Sequence, residues 1–197
     1  MTIEEILDVQ NLGISGDMIL IEYKSSEPIE RFSWGELIPS LSNYGVVVVD
    51  FYGIGEILLR KFIRKSGKEY ALILDALRDI KVVKVGPGAV SYGELLTEVS
   101  PSYDPQIFLK HYYSIMTRIS RLPKKPRYMI VFGLSHYIHF EPDSSMKALL
   151  TAVSSIPAED LVKIVLVNKE ILNEAQLSLL REVSTIVGVF EDGDLVF

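Results

Sequence analysis

Three stretches of this chain carry side chains that could hold an anion, a metal or an attacking water. The first is Tyr23-Lys24-Ser25-Ser26-Glu27-Pro28-Ile29-Glu30-Arg31, which follows an apolar run of strand length. Lys24 and Arg31 could pair with an anion, and Ser25 and Ser26 could donate hydroxyl hydrogen bonds to it. The second is His136-Tyr137-Ile138-His139-Phe140-Glu141-Pro142-Asp143, the one cluster of metal-type ligands. His, Glu and Asp together can bind a borderline divalent metal. The third is Asp50, at the end of the run Val46–Asp50, where a carboxylate could act as general base on a bound water.

Each stretch also has a plainer reading. The spacing of His136 and His139 matches no zinc pattern, and Asp143 or Ser144 suits a helix cap. Asp50 suits a strand end or a cap. His111 falls on a helical apolar stripe and reads as packing. Phe32 and Trp34 fit the start of a helix better than a base-stacking platform. The chain has no cysteine, which excludes a disulfide framework, a zinc–thiolate site and thiol catalysis. No Gly-x-Ser-x-Gly elbow is present, and Gly53-Ile54-Gly55 is too short for a dinucleotide fingerprint. No cofactor and no metal is expected.

The elements that must position these residues alternate. Strands are expected at Met18–Tyr23, Val46–Asp50, Lys81–Val85, Tyr128–Phe132 and Val162–Val167, all short apolar runs bounded by turn residues. Between them lie helical patterns. Ser33 caps one through Leu41, and Ile57, Leu58, Phe62 and Ile63 form the stripe of another. Tyr70–Asp79 fits a helix slightly better than a strand. Asp104 caps a long helix with Pro105 at its favoured first position, and Asn173 with Gln176 reads as a capping box. A short amphipathic helix is expected at Ile3–Gln10. Ser91–Pro101 reads as irregular, with one helical turn at Glu94–Glu98, and Gly133–Pro142 reads as a loop. Glu191-Asp192-Gly193-Asp194 signals a closing hairpin. The whole is an α/β fold of three layers: a mostly parallel sheet, helices on both faces and a C-terminal antiparallel hairpin. One domain over residues 1–197 is expected, and ligands of such a sheet sit beyond the carboxyl ends of its strands.

Composition narrows the class. The chain is 48% hydrophobic with a net charge of −6, and its mean hydropathy is +0.25. No apolar run approaches the ~20 residues a membrane helix needs. The acidic start Met1-Thr2-Ile3-Glu4-Glu5 is no signal peptide, so a cytoplasmic protein is expected. Its basic clusters, Arg60–Lys68 and Arg118–Arg127, fall at helix ends, where cations favour the carbonyl end of the dipole. Nucleic acid is therefore not the expected partner. Asn and Gln are scarce, a habit of hyperthermophile proteins.

Across most of its length the sequence resembles a RecA/KaiC-like ATPase domain, and in particular a small uncharacterised archaeal family from hyperthermophiles with that fold. Gly13 to Tyr23 resembles the glycine turn and first strand. Tyr128 to Leu134 resembles the strand that ends in the magnesium-organising aspartate, and Val165 to Phe190 resembles the closing strand–helix–strand. The resemblance places Asp50 in the region of the catalytic glutamate. The departures are as informative as the match. A phosphate loop needs glycines, a Lys and a Ser/Thr. Here the corresponding loop has no glycine, a proline and two carboxylates, and Gly133 stands where the aspartate is expected. Lys24 and Arg31 could pair with Glu27 and Glu30 and fill the phosphate space. The expectation is a non-catalytic domain without ATPase activity that binds a protein partner or a second copy of itself. The alternatives are a small-ligand or nucleotide-binding protein using Lys24, Ser25, Ser26, Arg31, Asp50, Gly133, His136 and His139, or an enzyme of unknown class in that cleft.

Overall fold

A computed structural model describes residues 16–67, 70–155 and 160–197, the side chain of residue 72 excepted. The helix expected at Ile3–Gln10 lies outside these residues. Among the described residues eight strands form one sheet: β1 Met18–Tyr23, β2 Val46–Phe51, β3 Lys81–Val85, β4 Glu94–Val99, β5 Tyr128–Phe132, β6 Val162–Asn168, β7 Ile186–Glu191 and β8 Asp194–Val196. Their spatial order is β4-β3-β2-β5-β6-β1-β7-β8. All neighbours run parallel except β7 and β8, which close antiparallel with Phe190 opposite Leu195. β2 and β5 are buried at every position. Their unbroken apolar runs reflect burial on both faces, as parallel sheets require.

Among the described residues, seven helical segments and a short 3-10 turn at Ser42–Tyr44 cover the sheet. Residues 31–41 form α1, a π-type turn Arg31–Leu37 continued by α-helical Ile38–Leu41. Then come α2 Ile54–Ser66, α3 Tyr70–Asp79, α4 Pro105–Ser120, α5 Leu134–Phe140, α6 Pro142–Ser155 and α7 Glu174–Glu182. Alternating strand residues feed two separate cores. Ile19, Ile21, Val46, Val48, Ile130 and Phe132 pack with Trp34, Leu37, Leu59 and Phe62 from α1 and α2. Leu20, Val47, Val49, Met129, Val131 and Val165 face Ile115, Tyr137, Met146 and Leu177 from α4 to α7. Trp34 is fully buried. It stacks on Phe132 with centroids 5.5 Å apart and donates its indole N–H to the Gly55 carbonyl at 3.2 Å. It is core, neither helix staple nor stacking platform.

Local chemistry explains the element ends. Asp104 accepts from the Gln106 and Ile107 amides, with Pro105 opening the helix. Asn173 and Gln176 form the reciprocal capping box. Three expectations are corrected. Residues 94–99 are an edge strand, paired to β3 with a register shift between Val82 and Val83. Exposed Glu94 and Glu98 occupy its solvent side, and their Lys81 and Lys84 partners sit across the ladder. α1 starts before Ser33, whose buried hydroxyl bonds back to the Ile29 carbonyl at 2.7 Å inside the helix instead of capping it. The histidine stretch is helical from Leu134 to Phe140. Leu134, Tyr137 and Ile138 bury at helical spacing there, and Gly133 supplies the left-handed turn that starts it.

Candidate functional site

The space after β1 is closed by the protein's own polar groups. Lys24 Nζ bonds Glu191 on β7. That contact raises the Lys24 pKa and lowers that of Glu191. The Ser25 amide donates to Glu170 at 2.8 Å. The Ser25 hydroxyl accepts from Asn168 Nδ2 at 2.9 Å, while Asn168 Oδ1 accepts from the Glu170 amide at 3.0 Å. Glu30 is 1% exposed at the head of α1. It takes Lys65 Nζ at 2.5 Å, with Lys61 Nζ at 3.6 Å. Burial pushes the Glu30 carboxyl up, but Lys65, a backbone N–H and Lys61 outweigh it, and its pKa ends below the ordinary value. Arg31 points outward, its Nε 4.0 Å from Glu36, and Ser26 is exposed. The partners expected from sequence were Glu27 and Glu30. Lys24 and Arg31 instead take Glu191 and Glu36, because β7 packs beside β1 and α1 carries Glu36 one turn beyond Arg31.

Gly133 has a steric reason to be glycine. Its φ is 76°, and a Cβ there would stand 2.4 Å from the Phe51 carbonyl oxygen and 2.9 Å from Ile54. A carboxylate-bearing side chain cannot occupy this point while β2 ends as it does. Asp50 lies one strand over and is fully buried. Its Oδ1 accepts from the Gly55 amide at 2.8 Å. Its Oδ2 accepts from the Glu56 amide at 3.1 Å and from the Tyr92 hydroxyl at 3.0 Å. Burial raises its pKa against these bonds. Asp50 ties the start of α2 to the loop before β4, and these three donors leave it little capacity to activate a water.

His136 and His139 sit three residues apart on α5. His136 Nδ1 is buried without a hydrogen-bond partner, and burial together with His139 lowers its pKa. His139 Nδ1 lies 3.2 Å from the Ile171 carbonyl. Glu141 and Asp143 are exposed at the start of α6. Among the described residues no group of three or more His, Cys, Asp or Glu is placed to hold a metal ion. The structure thus brings Lys24 and Ser25 together with Asn168, Glu170 and Glu191, none of them a candidate site residue from the sequence. It leaves Arg31, Asp50 and the histidines in separate surroundings.

An apolar feature lies elsewhere. A cavity of about 370 Å³ lies between the second face of the sheet and the helices α4 and α6. Val49, Val131 and Val165 form its floor, and Phe108, Ile115 and Ala152 form its roof. Pockets of this size with an apolar lining are the usual sites of bound organic ligands. Sequence could not separate these residues from core, since a cavity wall and a packed core have the same alternation.

Comparison with known structures finds the same fold in archaeal proteins. The chain resembles PH0250 of Pyrococcus horikoshii OT3 at 19% identity, with a TM-score of 0.78 over 99% of this chain and 90% of that one. It resembles an uncharacterised protein, PH0321 of Pyrococcus horikoshii, solved in complex with an unknown peptide. The identity is 14% and the TM-score 0.54 over 99% of this chain and 88% of that one. A third similar structure is the ATP synthase subunit NeqB of Nanoarcheaum equitans. There the identity is 9% and the TM-score 0.51 over 90% of this chain and 46% of that one. No curated protein matches the sequence. A family model matches residues 9–195, and the chain belongs to that family, DUF257, described as a Pyrococcus protein of unknown function.

Proposed function

We propose that this chain is a non-catalytic RecA-type domain that works by binding, with the bound molecule in the cavity under α4 and α6 rather than at the strand tips. The carrying observation is the contrast between the two places. The space after β1 is filled by Lys24–Glu191, Glu30–Lys65 and the Ser25–Asn168–Glu170 network. The sheet face beneath α4 and α6 holds an apolar cavity of about 370 Å³. Without a phosphate cradle the domain has nothing to fix a nucleotide for hydrolysis, so ATPase activity is not part of this reading. It is the role of a regulatory or adaptor module in the cytoplasm.

A polypeptide partner is the second reading. It is favoured by PH0321, a protein of the same fold solved with an unknown peptide. Self-association fits it as well. The edge strand β8 is three residues long, and its last residue Val196 and the following Phe197 are exposed, an edge that needs cover. Light scattering at high concentration tests this, with a dimer expected and a monomer counting against it.

The binding reading is tested with anilinonaphthalene sulfonate, whose fluorescence rises in apolar sites. Saturable binding by the native protein, lost when Ile115→Trp fills the cavity from its roof, is the expected result. Dye binding that Ile115→Trp leaves unchanged, in a variant folded by circular dichroism, overturns it.

A further inference from the structure

We infer that Ser100–Tyr103 is a strap closing the strand-tip end of the cavity, that the Tyr52 and Tyr103 hydroxyls are its latch, and that a bound molecule enters where the strap lifts. This rests on the binding reading above and adds how that site is reached. Ser100, Pro101 and Ser102 line the cavity, and they belong to no helix or strand. The chain is fixed on either side of them. The Val99 carbonyl at the end of β4 accepts from the Gly86 amide at 2.9 Å, and Asp104 caps α4 through the Gln106 and Ile107 amides. Between those points, among the described residues, Ser100–Tyr103 make no backbone–backbone hydrogen bond. The strand floor and helical roof are held by ladder and helix bonds, so this wall is the cheapest to open.

Two fixed tyrosines hold the strap down. Tyr137 on α5 is fully buried. Its hydroxyl donates to the Ser102 carbonyl at 2.6 Å, and its ring stacks on Tyr103 with centroids 4.8 Å apart. The Tyr52 and Tyr103 hydroxyls lie 2.8 Å apart and share a hydrogen bond. Tyr52 cannot follow the strap as it lifts. Its amide donates to the Val85 carbonyl at 2.8 Å, and its φ is 59°, in the left-handed region that a side chain disfavours. The turn at 86–88 keeps it there. A Cβ on Gly86 would stand 3.1 Å from the Tyr52 ring, and one on Gly88 would stand 2.9 Å from the Tyr52 carbonyl oxygen.

These contacts are of a kind that can be made and broken. They are hydrogen bonds between neutral groups and one ring-on-ring contact, and Tyr52, Ser102 and Tyr103 are only half-buried. Water can replace the partner of each hydroxyl as the strap lifts. Loss of one hydroxyl from the latch should favour opening by about five- to tenfold. The strap closes over the empty and the filled cavity alike, so entry and exit should quicken together.

The test is stopped-flow fluorescence of the full chain with anilinonaphthalene sulfonate. A strap that must lift first predicts an observed rate that levels off as the dye concentration rises. Tyr52→Phe and Tyr103→Phe keep their rings. Each is expected to raise that plateau about five- to tenfold while the equilibrium affinity stays within about twofold. The double variant is expected to be no faster than either single one, because the same shared bond is lost in all three. Val153 lines the cavity near the far end of α6, and Val153→Trp is expected to leave the plateau unchanged. The inference is overturned by a native rate that climbs linearly with dye, by a plateau that neither tyrosine change moves, by a double variant faster than both single ones, or by a plateau that Val153→Trp lowers. Any of these, in a protein whose dye binding Ile115→Trp abolishes, overturns the strap alone. Dye binding insensitive to Ile115→Trp overturns the binding reading itself.

Discussion

Glu30 Oε1 accepts a hydrogen bond from Lys65 Nζ at 2.5 Å, joining the head of α1 to the last turn of α2. In the binding reading proposed above, the pair stands where a phosphate would need open N–H groups and a positive field. A buried carboxylate and its own cation occupy that position instead. The pair also predicts a pH dependence. The folded Glu30 pKa lies below the ordinary 4.5. Its contribution to stability is therefore fully present above about pH 4.5 and is lost as pH falls through the folded value. Glu30→Gln is expected to cost about 1–3 kcal/mol at neutral pH, discounted because Lys65 is largely exposed. The gap to the native chain should shrink on acidification. Urea denaturation of both proteins from neutral pH to pH 3 checks this, and a constant gap would contradict it.

Arg181 grips Glu22 with two hydrogen bonds, Nε to Oε1 at 2.7 Å and Nη2 to Oε2 at 2.9 Å. Glu22 is 2% exposed in the middle of the sheet. Arg181→Met strands a buried carboxylate and is expected to cost about 3–5 kcal/mol. Adding Glu22→Leu should recover most of that loss. A double variant no more stable than Arg181→Met alone, by chemical denaturation, would show that the pair is not what Arg181 contributes.

Trp34 is the one tryptophan of the chain and is fully buried against Phe132 and Tyr92. Native emission is expected to be blue-shifted and to move red on unfolding. Trp34→Ala should destabilise by about 3–5 kcal/mol through lost contacts and a cavity. Emission already at the solvent-exposed position in the native protein would place the ring outside the core.

His136 titrates below the ordinary histidine value of 6.5, because burial and the neighbouring His139 disfavour its cation. Its neutral form therefore supports the fold above pH 6.5, and that support is lost as pH falls through the folded value. Imidazole shifts followed by NMR should place the His136 midpoint below 6.5. Metal analysis should find no stoichiometric zinc. Zinc held through His136 and His139, or a His136 midpoint above 6.5, would contradict the packing role argued for this helix.

The fold was legible where burial leaves a periodic mark. The β-branched runs at Val46–Val49 and Val162–Val167, the Asp104–Pro105 cap and the Asn173–Gln176 box fix elements by local chemistry that tertiary contacts do not overrule. β4 was not legible, because an edge strand with Glu94, Thr97 and Glu98 among its residues buries no position fully and shows no clean alternation to advertise it. The helix at Leu134–Phe140 did leave a signal, the spacing of Leu134, Tyr137 and Ile138, masked by two histidines that look like chemistry. The site was the least legible part. Asn168, Glu170 and Glu191 meet Lys24 and Ser25 only because β6 and β7 flank β1, and that adjacency is written in no local pattern. The cavity wall was not legible either, because Val49, Val131 and Val165 alternate along their strands as packed core does.

Calorimetric titration with ATP and magnesium tests the central claim most directly, run on the native chain beside a Lys24→Ala, Arg31→Ala double variant. A closed phosphate position predicts no saturable heat from either protein. Tight binding by the native chain that the double variant loses would contradict the account, because it would mean that Lys24 and Arg31 leave Glu191 and Glu36 to build a nucleotide site.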